Sequence, residues 1–86
     1  MAAVKLMYFA WVRERVGRGE ELRVLPSEVR TLADLVGWLR TLGPEYEAAF
    51  ADERTVRAAV DRRHAELATP IADAEEIAFF PPVTGG

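Results

Sequence analysis

The last eleven residues of the sequence are EIAFFPPVTGG, numbered 76–86, and they place a short apolar strand directly before two prolines and two glycines. Proline fixes φ, lacks the N–H that a sheet ladder needs, and pushes the preceding residue toward extended conformations. We therefore predict a final strand from Glu76 to Phe80, followed by a tail over residues 81–86. A Gly-Gly end reaches backbone angles closed to other residues, so Gly85-Gly86 is suited to enter a narrow channel and present a carboxylate. A merely frayed terminus is the alternative.

The rest of the chain alternates strand and helix patterns around this final strand. Residues 4–9 are apolar on both parities, which is typical of a central strand. Residues 21–25 alternate charged and apolar side chains and stop at Pro26, which predicts a hairpin partner for the first strand. Thr31 and Asp34 have the spacing of a capping box, and a helical apolar face follows until Gly43-Pro44. That face consists of Leu32, Leu35, Val36, Leu39 and Leu42.

A second helical segment and two further strand patterns complete the order. The spacing of Tyr46, Ala49 and Phe50 suits a short helix, and residues 56–60 have the pattern of a strand. A segment around residues 65–67 either pairs with that strand or crosses the surface. One amphipathic helix on a mixed sheet in this order predicts an α+β β-grasp fold, with the first and last strands parallel neighbours. A ferredoxin-like fold is less favoured because only one long helix is evident.

Length and composition limit the function classes. Eighty-six residues supply one compact core, which we place in residues 1–80 as a single domain. The absence of cysteine excludes disulfides, a cysteine-ligated zinc site and a catalytic thiol. The net charge of −3 disfavours nucleic-acid binding. No stretch approaches the ~20 apolar residues of a membrane span, and the N-terminus does not resemble a signal peptide. We therefore expect a cytoplasmic protein with no membrane or nucleic-acid partner.

The strand parities predict a docking surface beside the tail. If Ile77 and Phe79 face the helix, then Phe80 faces the opposite side, where Met7 and Phe9 of the first strand join it. An exposed apolar patch with aromatic anchors is typical of a protein interface. Burial of the same side chains under loops is the alternative.

Conventional catalytic and metal sites are not evident in the sequence. His64 is the sole histidine and is expected in a charged turn, which favours an exposed structural role. No second imidazole is present to share a metal, so we predict no metal site. The most plausible site of chemistry is the terminal carboxylate of Gly86.

The tail FFPPVTGG resembles the C-terminus of the MoaD-like sulfur carriers, the small subunits of molybdopterin synthase, which have a ubiquitin-like fold. The N-terminal run VKLMYFAWVRERVG is similar to that family's first strand, followed by an Ala-x-x-Arg-Glu turn into a short helix. DAEEIAFF before the tail also matches. The segment Asp61-Arg62-Arg63-His64 departs from the family, which more often has a small turn containing Asn or Gly.

This resemblance implies a specific chemistry for a flexible Gly-Gly tail. A ubiquitin-activating-type enzyme would use ATP and magnesium to adenylate Gly86, and a sulfur donor would convert it to a thiocarboxylate. The small protein itself would bind no cofactor and would not be an enzyme on its own. Gly85, Thr84, Val83, Pro82 and Pro81 would form the tail that enters the large subunit, in a heterotetramer of two small and two large subunits.

Sulfur would then pass to cyclic pyranopterin monophosphate during molybdenum cofactor biosynthesis. Three alternatives stay open at this point. They are a carrier for thiamin biosynthesis or tRNA thiolation, a ubiquitin-like protein modifier, and a noncovalent interaction module.

Overall fold

The computed structural model describes residues 3–82, which fold as one five-stranded sheet with helices packed on one face. The strands are β1 (Val4–Tyr8), β2 (Glu20–Arg23), β3 (Arg57–Val60), β4 (Arg63–Ala65) and β5 (Glu76–Phe80). The α-helices are α1 (Ala10–Val16), α2 (Leu32–Leu39) and α3 (Pro44–Phe50), and a 3-10 turn spans Glu53–Thr55.

The strand order across the sheet is β2-β1-β5-β3-β4. β1 and β5 are parallel and adjacent, as predicted, with Tyr8 opposite Phe79. β2 pairs antiparallel with β1 and ends at Arg23 rather than Leu25, because its partner strand begins at Val4, opposite Arg23. β3 is antiparallel to β5. This mixed sheet with helices on one side confirms the β-grasp fold.

The capping box predicted at the start of α2 is present. The Thr31 side chain accepts from the Asp34 N–H, and the Asp34 carboxylate accepts from the Thr31 N–H. These bonds satisfy N–H groups that a helix start leaves free. The Arg30 N–H also donates to the Asp34 carboxylate, and this bond, followed by the one from the Thr31 N–H, holds the pKa of Asp34 below its usual range. α2 ends at Leu39, three residues before the predicted limit, because Thr41 and Leu42 bond back only three residues.

Helix α1 lies in a segment for which no helix was predicted from the residue pattern. The structure has the short helix that the family resemblance implies. Its buried face consists of only Val12 and Val16, four residues apart. The chain enters α1 through Ala10, whose φ is +53°, and leaves through Gly17 at φ +90°. The left-handed conformation at Gly17 closes the helix at little steric cost.

The β3–β4 hairpin corrects the reading of the Asp61–His64 segment. Only Asp61 and Arg62 form the turn, with φ of +49° and +71°, the left-handed conformations that two-residue hairpin turns require. Arg63 and His64 already belong to β4, and His64 lies opposite Ala59. Of the two alternatives for residues 65–67, pairing with β3 holds for Ala65, whereas Leu67 lies beyond the end of β4.

The core lies between the sheet and the three helices. On β1 and β5 it takes Leu6, Tyr8, Ile77 and Phe79, each at most 1% exposed, which confirms the predicted parity. The ring of Phe79 stacks on Tyr8 at a centroid distance of 6.0 Å and meets Phe50 of α3 edge-on at 4.9 Å. This aromatic cluster joins the two central strands to the helical layer.

Candidate functional site: the sheet face at the base of the tail

The final strand ends where the sequence predicted. β5 stops at Phe80, and Pro81 and Pro82 continue the chain outside the sheet with half-buried side chains. The predicted tail residues Val83, Thr84, Gly85 and Gly86 lie outside the described residues, so their roles and the predicted division into domain 1–80 and tail 81–86 stay predictions.

Phe79 anchors the base of the tail. Its side chain is fully buried in the aromatic cluster, and its carbonyl oxygen accepts from the Phe9 N–H at 3.0 Å. Because the fold holds both the side chain and the backbone of Phe79, the point where residues 81–86 leave the sheet is fixed relative to the core.

The sheet surface opposite the helices carries an apolar patch, which we define as Met7, Phe9, Ala59, Ala78 and Phe80. One row across the sheet places Met7 beside Ala78 and Ala78 beside Ala59. Phe9 extends β1 with strand-like backbone angles and is 45% exposed, while Phe80 is half-buried. The imidazole of His64 lies 6.4 Å from the Phe80 ring, centroid to centroid, with the two planes inclined at 60°. Met7 and Phe80 thus lie on one face, as the strand parities predicted, and Phe9 is exposed just beyond β1. Binding of a partner by Met7, Phe9 and Phe80 stays a prediction.

Charged side chains border the patch. Lys5 pairs with Glu20 at 3.5 Å, and Arg62 pairs with Glu76 at 3.3 Å. Arg57 lies directly opposite Phe80 in the β3–β5 register, and its guanidinium donates to the Arg54 carbonyl oxygen at 3.2 Å. Arg57 of β3 therefore lies beside Phe80, the last residue of β5.

A polar network ties the edge strand β2 to the core behind this face. The Glu21 carboxylate accepts from the hydroxyls of Tyr8 at 2.8 Å and Tyr46 at 2.7 Å, and from Arg23 at 2.9 Å. Burial alone would raise the pKa of Glu21, but the bonds from both tyrosines and the charges of Arg23 and Arg18 outweigh it and hold this pKa below its usual range. Burial and the same carboxylate raise the pKa of the Tyr8 hydroxyl. This network connects β1, β2 and α3.

An apolar cavity of about 460 Å³ opens on the other side of the sheet, between α2 and the β3–β4 hairpin. Leu32 and Val36 form its helical wall, and Arg54, Arg57 and Glu66 contribute its charges. Within residues 3–82 no group of three or more His, Asp or Glu side chains is placed to hold a metal ion. Over the same residues, no helix is long and apolar enough to cross a membrane.

Two features of the site were missed by the sequence reasoning. The position of Arg57 beside Phe80 depends on the pairing of β3 with β5, although the alternation of residues 57–60 contained a weak signal. The Glu21 network joins residues 13 and 25 positions apart, and no local pattern indicates it. His64 was expected in a turn, whereas it contacts the aromatic residue at the base of the tail.

Comparison with known proteins agrees with this geometry. The model of the ThiS family matches residues 6–86. The molybdopterin synthase sulfur carrier subunit of Escherichia coli K12 is 32% identical over 83 residues, covering 96% of this chain and 99% of that protein. A solved Pyrococcus furiosus chain, assigned as subunit 1 of a molybdopterin converting factor, is 28% identical with a TM-score of 0.75, covering 96% of this chain and all of that one.

A third relative shares the fold alone. SAMP1 of Haloferax volcanii is 24% identical with a TM-score of 0.75, over 99% of this chain and 100% of that chain. The match of the family model over nearly the whole sequence, the identity to the E. coli protein and the β-grasp architecture lead to one assignment. This chain belongs to the ThiS family of MoaD-like, ubiquitin-like β-grasp proteins.

Proposed function

We propose that this chain is the sulfur-carrying small subunit of a molybdopterin synthase, with Gly86 as the residue that carries sulfur. One observation supports the proposal most strongly. A β-grasp chain related to the E. coli sulfur carrier subunit over 96% of its length has the sequence FFPPVTGG, which leaves the sheet at Phe80, next to an apolar surface.

The chemistry follows from the low reactivity of a carboxylate. An activating enzyme transfers the AMP moiety of ATP to the Gly86 carboxylate and releases pyrophosphate, with magnesium on the phosphates. A sulfur nucleophile then attacks the acyl carbon, AMP leaves, and the product is a thiocarboxylate. ATP and magnesium act in the activating enzyme, of the ubiquitin-activating type, and this chain binds no cofactor of its own. A thiocarboxylate stays ionised at neutral pH, so its sulfur is a ready nucleophile.

The tail residues divide the work of delivery. Pro81 and Pro82 stiffen the stem because their φ angles are fixed. Val83 and Thr84 extend the stem, Gly85 gives clearance in a narrow channel, and Gly86 presents the sulfur. The fixed position of Phe79 would make the direction of the stem reproducible from one molecule to the next.

The large subunit supplies the acids and bases that this chain lacks. In the proposed complex it covers the apolar patch and admits the tail, and the thiocarboxylate donates sulfur to cyclic pyranopterin monophosphate. In each transfer the sulfur bonds to a substrate carbon and displaces an oxygen substituent, and water then hydrolyses the acyl–sulfur bond, which returns Gly86 to a carboxylate. Two such transfers give the dithiolene of molybdopterin. Two small and two large subunits would form the heterotetramer, in the cytoplasm.

Reconstitution of sulfur transfer tests this proposal. Thiocarboxylated full-length protein, mixed with the large subunit of the same organism and cyclic pyranopterin monophosphate, should yield molybdopterin, and a chain lacking Gly86 should yield none. If the thiocarboxylated protein binds the large subunit without forming molybdopterin, while it does support thiamin synthesis or tRNA thiolation, the carrier belongs to that other branch. Covalent adducts with lysine side chains in cell extract would instead indicate a protein modifier.

A further inference from the structure

Arg57 is a positive charge at the border of the apolar patch, where its side chain also lines the rim of the cavity beside β3 and β4. It lies opposite Phe80 across the β3–β5 pair, and its side chain is exposed. Its described hydrogen bond is to a backbone carbonyl, that of Arg54, at 3.2 Å, which orients the guanidinium without neutralising it. Among the side chains described in residues 3–82, no carboxylate forms an ion pair with Arg57.

The other cations on or beside this face differ from Arg57 in that respect. Lys5 has Glu20, Arg62 has Glu76, and Arg54 has Asp52 at 3.1 Å. In each of these pairs, the carboxylate compensates the charge of its cation within the protein. The neighbourhood of Phe80 therefore presents an uncompensated guanidinium on a chain whose net charge is −3.

An arginine so close to an aromatic anchor constrains what can cover the anchor. Covering Phe80 with an apolar surface removes water from Arg57, and a desolvated cation without a partner is strongly unfavourable. The planar guanidinium offers paired donors that match a carboxylate. A surface with a carboxylate at this position satisfies both requirements.

We infer that Arg57 makes the docking surface selective for a partner that presents an Asp or Glu carboxylate beside the apolar pocket receiving Phe80. This inference rests on the proposed function, in which that partner is the large subunit, and it adds the charge that the large subunit must carry. Opposite charges across an interface raise the association rate and disfavour partners of the wrong charge.

The test compares Arg57→Leu with Arg63→Leu in binding to the large subunit of the same organism. Arg63→Leu is a matched control because it removes the same charge from another exposed strand position. Arg63 lies in register with Val60 and Ile77, on the helix-facing side of the sheet. Titrations at low and high salt should show that R57L binds about tenfold or more weakly at low salt and has a smaller salt dependence than the wild type. R63L should bind as the wild type does.

A charge exchange identifies the partner group. Arg57→Glu should lose binding, and replacing the facing carboxylate of the large subunit with arginine should restore it. Equal affinity of R57L and the wild type at both salt concentrations would overturn the inference, as would equal losses in R57L and R63L. If the wild type supports molybdopterin formation but R57L is unaffected, only this inference fails; if the wild type does not bind the large subunit at all, the proposed function fails with it.

Discussion

At the scale of single residues, Phe79 and Phe80 have different environments although they are neighbours. The period of two in a strand sends one ring into the aromatic cluster and the other to the outer face. The predicted parity was correct because Ile77 and Phe79 alternate with smaller or outward residues. The identical chemistry of the two side chains makes them natural controls for one another.

Replacing Phe80 with alanine should weaken binding to the large subunit while the protein stays folded. An aromatic anchor at the centre of an interface contributes about 2 kcal/mol or more to binding. Phe79→Ala, in contrast, removes a fully buried ring and should reduce the free energy of unfolding by about 3–5 kcal/mol. Binding titration and denaturant unfolding of both variants check this. If F80A loses as much stability as F79A, Phe80 belongs to the core instead of the docking surface.

Glu21 is the residue whose ionisation should matter most for stability at acid pH. Its side chain is 7% exposed, and four donors converge on its two oxygens. Because its pKa is lower in the folded than in the unfolded protein, its contribution is fully present above the ordinary value of 4.5 and is lost as pH falls through the folded value. Glu21→Gln should therefore cost about 1.5–3 kcal/mol at neutral pH, and less as the pH falls below 4.5.

Denaturant unfolding from neutral pH to pH 3 measures this difference. Glu20→Gln is the control, because Glu20 is 61% exposed and its surface pair with Lys5 contributes less than about 1 kcal/mol. A pH-independent difference between the wild type and E21Q, or equal losses in E20Q and E21Q, would show that the carboxylate of Glu21 is not the stabilising group.

At the scale of elements, the strand and helix patterns with several apolar residues were predicted, whereas the residue pattern alone did not predict α1 and left β4 open. Four of the five residues in the apolar face predicted for α2 are buried in that helix, while the fifth, Leu42, lies beyond its end, and the capping box was evident from spacing. α1 buries only two side chains, so its local signal was weak beside that of Arg13, Glu14 and Arg15. β4 has three residues and an exposed edge, and its existence depends on pairing with β3 rather than on its own pattern.

The β3–β4 turn should be improved by glycine at position 62. Arg62 has a φ of +71°, a conformation that costs a non-glycine residue about 1–2 kcal/mol. Its ion pair with Glu76 is mostly exposed and contributes little. Arg62→Gly should therefore raise the free energy of unfolding by about 0.5–1 kcal/mol, measured by denaturant titration.

Arg62→Ala separates the two effects, because it removes the ion pair but keeps a side chain in the left-handed conformation. It should be neutral or slightly destabilising. A stability gain in R62A equal to that in R62G would show that the backbone conformation is not the source of the improvement.

At the scale of the whole molecule, the fold was predictable from the sequence, whereas the proposed chemistry of the tail rests on a resemblance. The fold followed from element order and hydrophobic period, including the parallel pairing of β1 with β5. The proposed chemistry comes from the resemblance of FFPPVTGG to a known family, because no cluster of reactive side chains in the sequence indicates it. The positive charge of Arg57 beside the apolar patch was not predictable, because only the register of β3 with β5 brings Arg57 next to Phe80.

The intact mass of the protein shows most directly whether Gly86 carries sulfur. The purified chain is weighed before and after incubation with its activating enzyme, ATP, magnesium and a sulfur source, beside a chain that lacks Gly86. We expect a mass gain that matches replacement of one oxygen by sulfur, in the full-length chain only. An unchanged mass with an activating enzyme shown to be active, or the same gain without Gly86, would contradict the proposal that Gly86 carries sulfur.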